Sequence, residues 1–287
     1  MTDASVAGQR SRSPVFDYET KTWGGHAVGL SPRYLGALRL RYCLADIADV
    51  RGSVLEVGCG AGGMARAIKR CRPDLQVVGC DLSQKAIALA RQDPQGVSFE
   101  VGDAYGLPYR DGNFEGVVMF DVLEHLDDPG RLVREVVRAL SPGGLFHLFV
   151  PCEGELHTIH GILARLGWRA KEEFGGHIQR LTARAVLKEL ERAGLEVIRR
   201  RWSGHLVNQV TDAAYFTALD IRGRNVATSI EGYLAGARRS PRSVAVDLAK
   251  STVAIVSYLE SAPVPWLPGM GIHVTGRKAK NPQIGSS

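Results

Sequence analysis

The chain has 287 residues, 45% of them hydrophobic and 23% charged, with a formal net charge of +6. This is ordinary globular composition, enough for one large domain or one domain plus a cap. No apolar run approaches the roughly 18 residues of a membrane-spanning helix. The five cysteines (Cys43, Cys59, Cys71, Cys80, Cys152) lack disulfide-framework spacing. Reduced thiols, and no apolar stretch after Arg10 and Arg12, set the expectation of a cytoplasmic protein. The mild positive charge permits an anionic substrate, nucleic acid or lipid headgroups and selects none of them.

Residues 1–14 are small and polar, as in a terminal tail. Phe16, Tyr18, Trp23 and Gly24-Gly25-His26 have no periodicity and read as a loop folded over another part of the molecule, so residues 1–30 form a tail and cover loop. Ser31-Pro32 is a helix start, followed by an apolar face of Tyr34, Leu35, Leu38, Tyr42, Ala45 and Ile47.

Residues 53–62 follow: a short apolar strand (Val54, Leu55, Val57), an acid (Glu56), and alternating Gly58, Gly60 and Gly62 before a helical pattern. A dinucleotide-binding turn has the spacing G-x-G-x-x-G, with helix N–H groups aimed at a pyrophosphate. Here the spacing is E-x-G-x-G-x-G, and a carboxylate aimed at the ligand repels phosphate but suits an ammonium group. Gln76–Asp81 is a second strand ending in an acid, about 20 residues past the turn, where a carboxylate can bond both ribose hydroxyls. Ser83 caps the next helix. Val97–Asp103 and Phe114–Phe120 are the third and fourth strands, the latter running into Asp121-Val122-Leu123-Glu124-His125-Leu126. Ser141–Gly144 reads as a turn before a fifth strand, Leu145–Val150. Thr182–Ala193 is a helix closed by Gly194, Leu195–Trp202 a sixth strand and Gly271–Lys278 a seventh.

Alternating strands and helices imply an α/β fold with a parallel sheet covered on both faces. Residues 31–205 with 269–279 form its core. Residues 206–268, with helical patterns over Val207–Leu219, Val226–Leu234 and Ser243–Leu259, are a helical insertion before the last strand. They read as a cap over an acceptor site or as an oligomer contact, leaving a homodimer open.

In order and spacing, residues 50 to 205 resemble the small-molecule branch of the class I S-adenosylmethionine-dependent methyltransferases. The resemblance implies a Rossmann-like, seven-stranded, mostly parallel sheet whose last strand is antiparallel at the edge. It implies S-adenosylmethionine as cofactor: Gly58, Cys59 and Gly60 on its methionine part, Glu56 near the ammonium, and Asp81 on the ribose. Leu82 would flank the adenine, Asp103 and Ala104 take its edge, and Phe120 and Asp121 line the sulfonium end. Cys59 on its own is a small residue that fits the turn. The implied activity is methyl transfer to a small-molecule or lipid-like acceptor, with O-methylation the commonest outcome in this branch.

His125 is the first candidate for the base that such a reaction needs, and His177 the second. Both have a plainer reading: Glu124-His125 orders a helix start, and His177 orders the loop around it. Cys152, His157 and His160 lack a metal-binding spacing, so no metal ligands are assigned and this stretch reads as a pocket-lining loop. The arginine runs 199–201 and 238–242 read as solvated surface, or as a patch for phosphate or headgroups. Val244–Leu259 and Trp266 pack on the core or a dimer partner, or touch a membrane surface without spanning it. An RNA or protein methyltransferase is the alternative, disfavoured by Phe120-Asp121-Val122-Leu123 where an Asn-Pro-Pro-Tyr-type segment would stand and by the lack of an RNA-binding module. A non-catalytic S-adenosylmethionine-binding protein is the third reading.

Overall fold

The computed structural model describes residues 22–25, 27–222 and 241–280. Seven strands form one sheet: β1 (Ser53–Val57), β2 (Gln76–Asp81), β3 (Val97–Val101), β4 (Phe114–Phe120), β5 (Leu140–Pro151), β6 (Leu195–Ser203) and β7 (Gly271–Lys278), in the order β3-β2-β1-β4-β5-β7-β6. Strands β1 to β5 pair in parallel, and β7 is antiparallel to both β5 and β6. The helices are α1 (Ala37–Asp46), α2 (Gly63–Cys71), α3 (Gln84–Gln92), α4 (Pro129–Ala139), α5 (Ile159–Arg165), α6 (Ala183–Arg192), α7 (Leu206–Arg222) and α8 (Pro241–Ser261). This is the doubly wound fold expected from the sequence.

Side-chain alternation along the strands explains the layering. In β4, Val117 and Met119 face a core completed by Leu132, Val133 and Val136 of α4 and Val186 and Leu190 of α6. Val118 and Phe120 face the opposite core, with Leu40 and Cys43 of α1, Ile68 of α2 and Ile87 of α3. Successive strand residues point to opposite faces, so a nearly continuous apolar run is what a strand buried on both sides requires. Polar caps set the helix starts: Ser83 accepts from the Ala86 N–H, Asp128 from Arg131, Thr158 from Gly161 and Thr182 from Ala185.

Several boundaries differ from expectation. The first helix starts at Ala37, because residues 31–36 form turns in which Tyr34 N–H bonds Ser31 O and Ala37 N–H bonds Tyr34 O. Strand β3 stops at Val101, and Asp103 pairs only with Gly106. Ser141–Gly144 is an irregularity within β5: pairing with β4 breaks after Leu140 and resumes at Leu145. The last strand is not at the sheet edge, because β7 inserts between β5 and β6 and leaves β6 outermost. The expected helix over 226–234 lies outside the described residues. No helix among the described residues is long and apolar enough to cross a membrane.

An ionic cluster ties α1 to the far half of the sheet. Asp46, the last residue of α1, accepts from Thr275 Oγ1 (2.6 Å), Arg199 (2.7 Å) and Arg201 (3.0 Å), and lies 3.1 Å from His147 Nδ1. Burial would raise its pKa, but these partners hold it well below the usual carboxylate range.

Candidate active site

In an open α/β sheet the ligand crevice lies at the carboxyl ends of the strands where strand order reverses. Here that point falls between β1 and β4. Glu56, the glycine turn, Asp81, Asp103 and Asp121 converge on this edge from four strand ends.

The turn itself is closed to anions. Gly58 and Cys59 N–H both donate to Cys80 O (2.8 and 3.1 Å), and Gly60 N–H donates to Asp81 Oδ2 (2.7 Å). Ala61 donates to Trp23 O (2.8 Å), Gly62 to Cys59 O (2.9 Å) and Gly63 to Gly24 O (2.8 Å). Every backbone N–H from Gly58 to Gly63 therefore has a protein acceptor, and none is left for a phosphate at the start of α2. Gly60 has φ +53°, and a β-carbon there would lie 2.4 Å from Trp23 O. Its lack of a side chain lets the Trp23-Gly24 segment sit on the turn.

Glu56 is only 3% exposed, and its Oε2 meets no hydrogen-bond donor among the described residues. Burial pushes its pKa up to about 8; the Ala65 N–H opposes this, Asp81 adds to it and Arg66 relieves it. Asp81 uses one oxygen for Gly60 N–H and the other for Ser83 N–H (2.9 Å), so it fixes the turn and the start of α3 together. Each carboxylate oxygen has a second acceptor site for a further donor. Leu82 beside it is 61% exposed. Asp103 Oδ1 accepts from Tyr105 N–H (2.8 Å), and Ala104 packs on the core edge. The Cys59 thiol is buried and its pKa is pushed far up, chiefly by that burial, so it is protonated and inert.

Past β4 the chain turns sharply. Asp121 has φ +52°, a left-handed conformation uncommon outside glycine, and such strain gathers at functional sites. Its carboxylate bonds Arg39 of α1, whose guanidinium stacks 4.0 Å from the centre of the Phe149 ring. Phe120, 9% exposed, packs beside it under α1.

A single helical turn, Leu123–His125, follows. It brings Glu124 and His125 against His177, which lies 52 residues later. The two imidazoles meet edge to face with centroids 4.9 Å apart. His125 Nδ1 donates to Gly176 O (2.9 Å), and burial, then His177, lowers the His125 pKa to about 4. His177 Nδ1 lies 3.0 Å from Glu153 Oε1. Glu153 also accepts from Lys171 Nζ (2.6 Å), which lies 2.7 Å from Asp212 of α7. Asp212 in turn faces His160 Nε2 at 2.9 Å. Burial would raise the Glu153 pKa, but Lys171 and His177 hold it far below the ordinary value. Cys152, His157 and His160 do not converge: Cys152 is in the core, His157 faces Gly269 O, and His160 faces Asp212.

Comparison with known proteins places this architecture. A family model described as a methyltransferase domain matches residues 31–200, more than half of the chain. The chain belongs to this methyltransferase family. Ajmaline N-methyltransferase of Rauvolfia serpentina is 35% identical over 170 residues, covering 56% of this chain and 57% of that protein. A ubiquinone/menaquinone biosynthesis C-methyltransferase of Desulfotalea psychrophila is 36% identical over 107 residues, covering 36% of this chain and 44% of that protein. The chain thus spans about half the length of the curated relatives it matches. Among solved structures, the [4+2]-cyclase SpnF is 24% identical with a TM-score of 0.55, covering 85% of this chain and 82% of that one. Geranyl diphosphate C-methyltransferase of Streptomyces coelicolor is 14% identical with a TM-score of 0.54, covering 85% and 76%. Likeness at that identity is likeness of fold, which by itself leaves the reaction open.

Within the methyltransferase fold, reading the sequence missed Arg39 and the Glu153–Lys171–Asp212 chain. Arg39 lies on the polar side of a helix read for its apolar stripe. Lys171, Glu153 and Asp212 come from three separate elements, and only the fold brings them together. An acid two residues past the end of β5, Glu153, is the one local signal.

Proposed function

We propose that the protein transfers the methyl group of S-adenosylmethionine to an oxygen of a small-molecule or lipid-like acceptor. The observation that carries the donor assignment is the glycine turn with every N–H spent, beside a buried carboxylate. That arrangement repels phosphate and welcomes a cation. When bound, S-adenosylmethionine supplies a methyl group already activated by its sulfonium. The chain's own residues bind, orient and exclude water, and orientation is worth roughly 7–11 kcal/mol in favourable cases. Glu56 receives the ammonium, with Gly58, Cys59 and Gly60 lining the methionine part. Asp81 takes the ribose hydroxyls, and Leu82, Asp103 and Ala104 border the adenine. Phe120 and Asp121 line the reacting end.

The relatives, an ajmaline N-methyltransferase and a ubiquinone/menaquinone biosynthesis C-methyltransferase, support a small-molecule acceptor. Oxygen is favoured by the Glu124–His125–His177 group beside β4, since a hydroxyl must lose its proton during attack. His125 alone is a weak base there, because an imidazole with a pKa of about 4 takes a hydroxyl proton poorly. We also propose residues 206–268 as a cap. A cavity of about 50 Å³, bordered by Arg39, Phe149, Asn208 and Tyr258, lies between α1, the sheet and the helices α7 and α8.

The test is incubation with methyl-labelled S-adenosylmethionine and a metabolite extract, with products resolved by mass spectrometry. A labelled methyl ether supports the proposal, and a labelled amine or C-methyl product corrects the attacked atom. Donor binding without any product would make the protein a binding module. Asp81→Ala should weaken donor binding by about 1.5–3 kcal/mol, or about 10- to 150-fold, and unchanged affinity would refute its place on the ribose.

A further inference from the structure

Glu124 is fully buried, and among the described residues neither of its carboxylate oxygens has a hydrogen-bond partner. Such groups are rare in native proteins and call for an explanation. The cations nearby are engaged elsewhere: Lys171 is shared between Glu153 and Asp212, and Arg39 binds Asp121.

Two imidazoles stand beside this carboxylate, each anchored through Nδ1. The acceptors are a carbonyl, Gly176 O for His125, and a carboxylate, Glu153 for His177. These acceptors place the proton on Nδ1 and make Nε2 the lone-pair nitrogen of both rings. An N–H held by a carbonyl or carboxylate is the outer-shell arrangement of metal-binding histidines. His125 Nε2 is 4.0 Å from Glu124 Oε1, and one candidate ligand atom from each of the three residues lies within 4.8 Å of the others.

We infer that Glu124, His125 and His177 form a binding site for a divalent first-row transition ion, with Nε2 of each histidine and an oxygen of Glu124 as its protein ligands. An ion at about 2.0–2.2 Å from each ligand requires them about 3–4 Å apart, close to the spacing at which candidate ligand atoms of the three residues already stand. Two imidazoles and one carboxylate favour zinc, manganese, iron or cobalt over magnesium or calcium. Three protein ligands leave coordination positions open. An acceptor hydroxyl bound there would be ionised near neutral pH without a strong base. That last role rests on the proposed O-methyl transfer, whereas ion binding does not. Sequence spacing hides the site, because Glu124 and His125 are adjacent and His177 comes from a distant loop.

The test uses tag-free, full-length protein stripped with chelator and dialysed. Co²⁺ is titrated while visible d–d absorption is read, and Zn²⁺ binding is measured by calorimetry. One ion per chain is expected, with Glu124→Gln and His177→Ala each weakening Co²⁺ binding at least 100-fold. Circular dichroism checks that each variant is folded, and His177→Ala, a partly exposed position, carries the test if Glu124→Gln does not fold. Lack of stoichiometric Co²⁺ binding by the wild-type protein, or unchanged binding in the folded variants, overturns the inference. S-adenosylmethionine affinity is measured on the same samples. Intact donor binding without ion binding removes the metal site alone.

Discussion

Glu56→Gln removes a titration that donor binding has to drive. In the ligand-free protein Glu56 has a pKa of about 8, set first by burial. Near pH 6.5 such a carboxyl holds its proton in more than about nine molecules of ten, while a free α-amine with pKa about 7.7–8.0 is charged. An ammonium gains charge pairing only from the carboxylate, so binding the donor expels the Glu56 proton. Calorimetry of S-adenosylmethionine binding, repeated in buffers of different ionisation heat, should report release of about 0.9 proton per donor near pH 6.5. Affinity should then rise about tenfold per pH unit between roughly pH 5.5 and 6.5. In Glu56→Gln both effects vanish. The same titration acts on stability, with a definite sign. The folded-state pKa lies above the unfolded value of about 4.3, so the contribution is complete below that pH and is lost as pH rises through about 8. The ligand-free wild type should therefore lose stability on the order of a few kcal/mol across that window relative to Glu56→Gln. A wild-type proton count near zero, or the same count in the variant, would refute the placement of the ammonium on Glu56.

Gly60→Val puts a β-carbon 2.4 Å from Trp23 O at a left-handed backbone position. The cover segment must leave the turn, and donor affinity should fall by at least about 1.4 kcal/mol, a factor of ten, in calorimetry; wild-type affinity would show that the turn tolerates a side chain. Asp46→Ala strips a buried acceptor from Thr275, Arg199 and Arg201 and leaves His147 facing a gap. Breaking such a cluster costs about 3–5 kcal/mol. At about 2–4 °C per kcal/mol for a chain of this size, Tm should drop by about 6–20 °C in scanning calorimetry. A drop within about 1 °C would mean that the cluster adds nothing net.

The cluster at the strand ends was legible because its residues are local to those ends. Glu56, the glycines, Asp81 and Asp103 each follow an apolar run, and a strand-end position is visible in one dimension. Strands β2, β4 and β7 have the ends that hydrophobic patterning gives them. The Glu124–His125–His177 group was not legible as a cluster. Glu124 reads as an acid that orders a helix start until the fold buries it; of its neighbours, Glu153 and His177 come from loops and Lys171 from a short π-helical turn, Lys171–Gly175, too short to show a periodic pattern. The placement of β7 was hidden for a related reason: a strand's own pattern states its burial but not which neighbours it joins. Ser141–Gly144 has the composition of a turn, yet pairing continues on both sides of it as an irregularity within β5.

The place of β7 has a consequence for biosynthesis. Among the described residues strand β6 has a single neighbour, β7, and about 70 residues separate the end of one from the start of the other. A chain leaving the ribosome carries β6 unzipped, and β5 with one flank bare, until that stretch has been translated. Open flanks of this kind are templates for wrong partners. The nascent polypeptide is therefore exposed to mispairing through that interval, and its sheet is sealed only once Gly271–Lys278 has emerged.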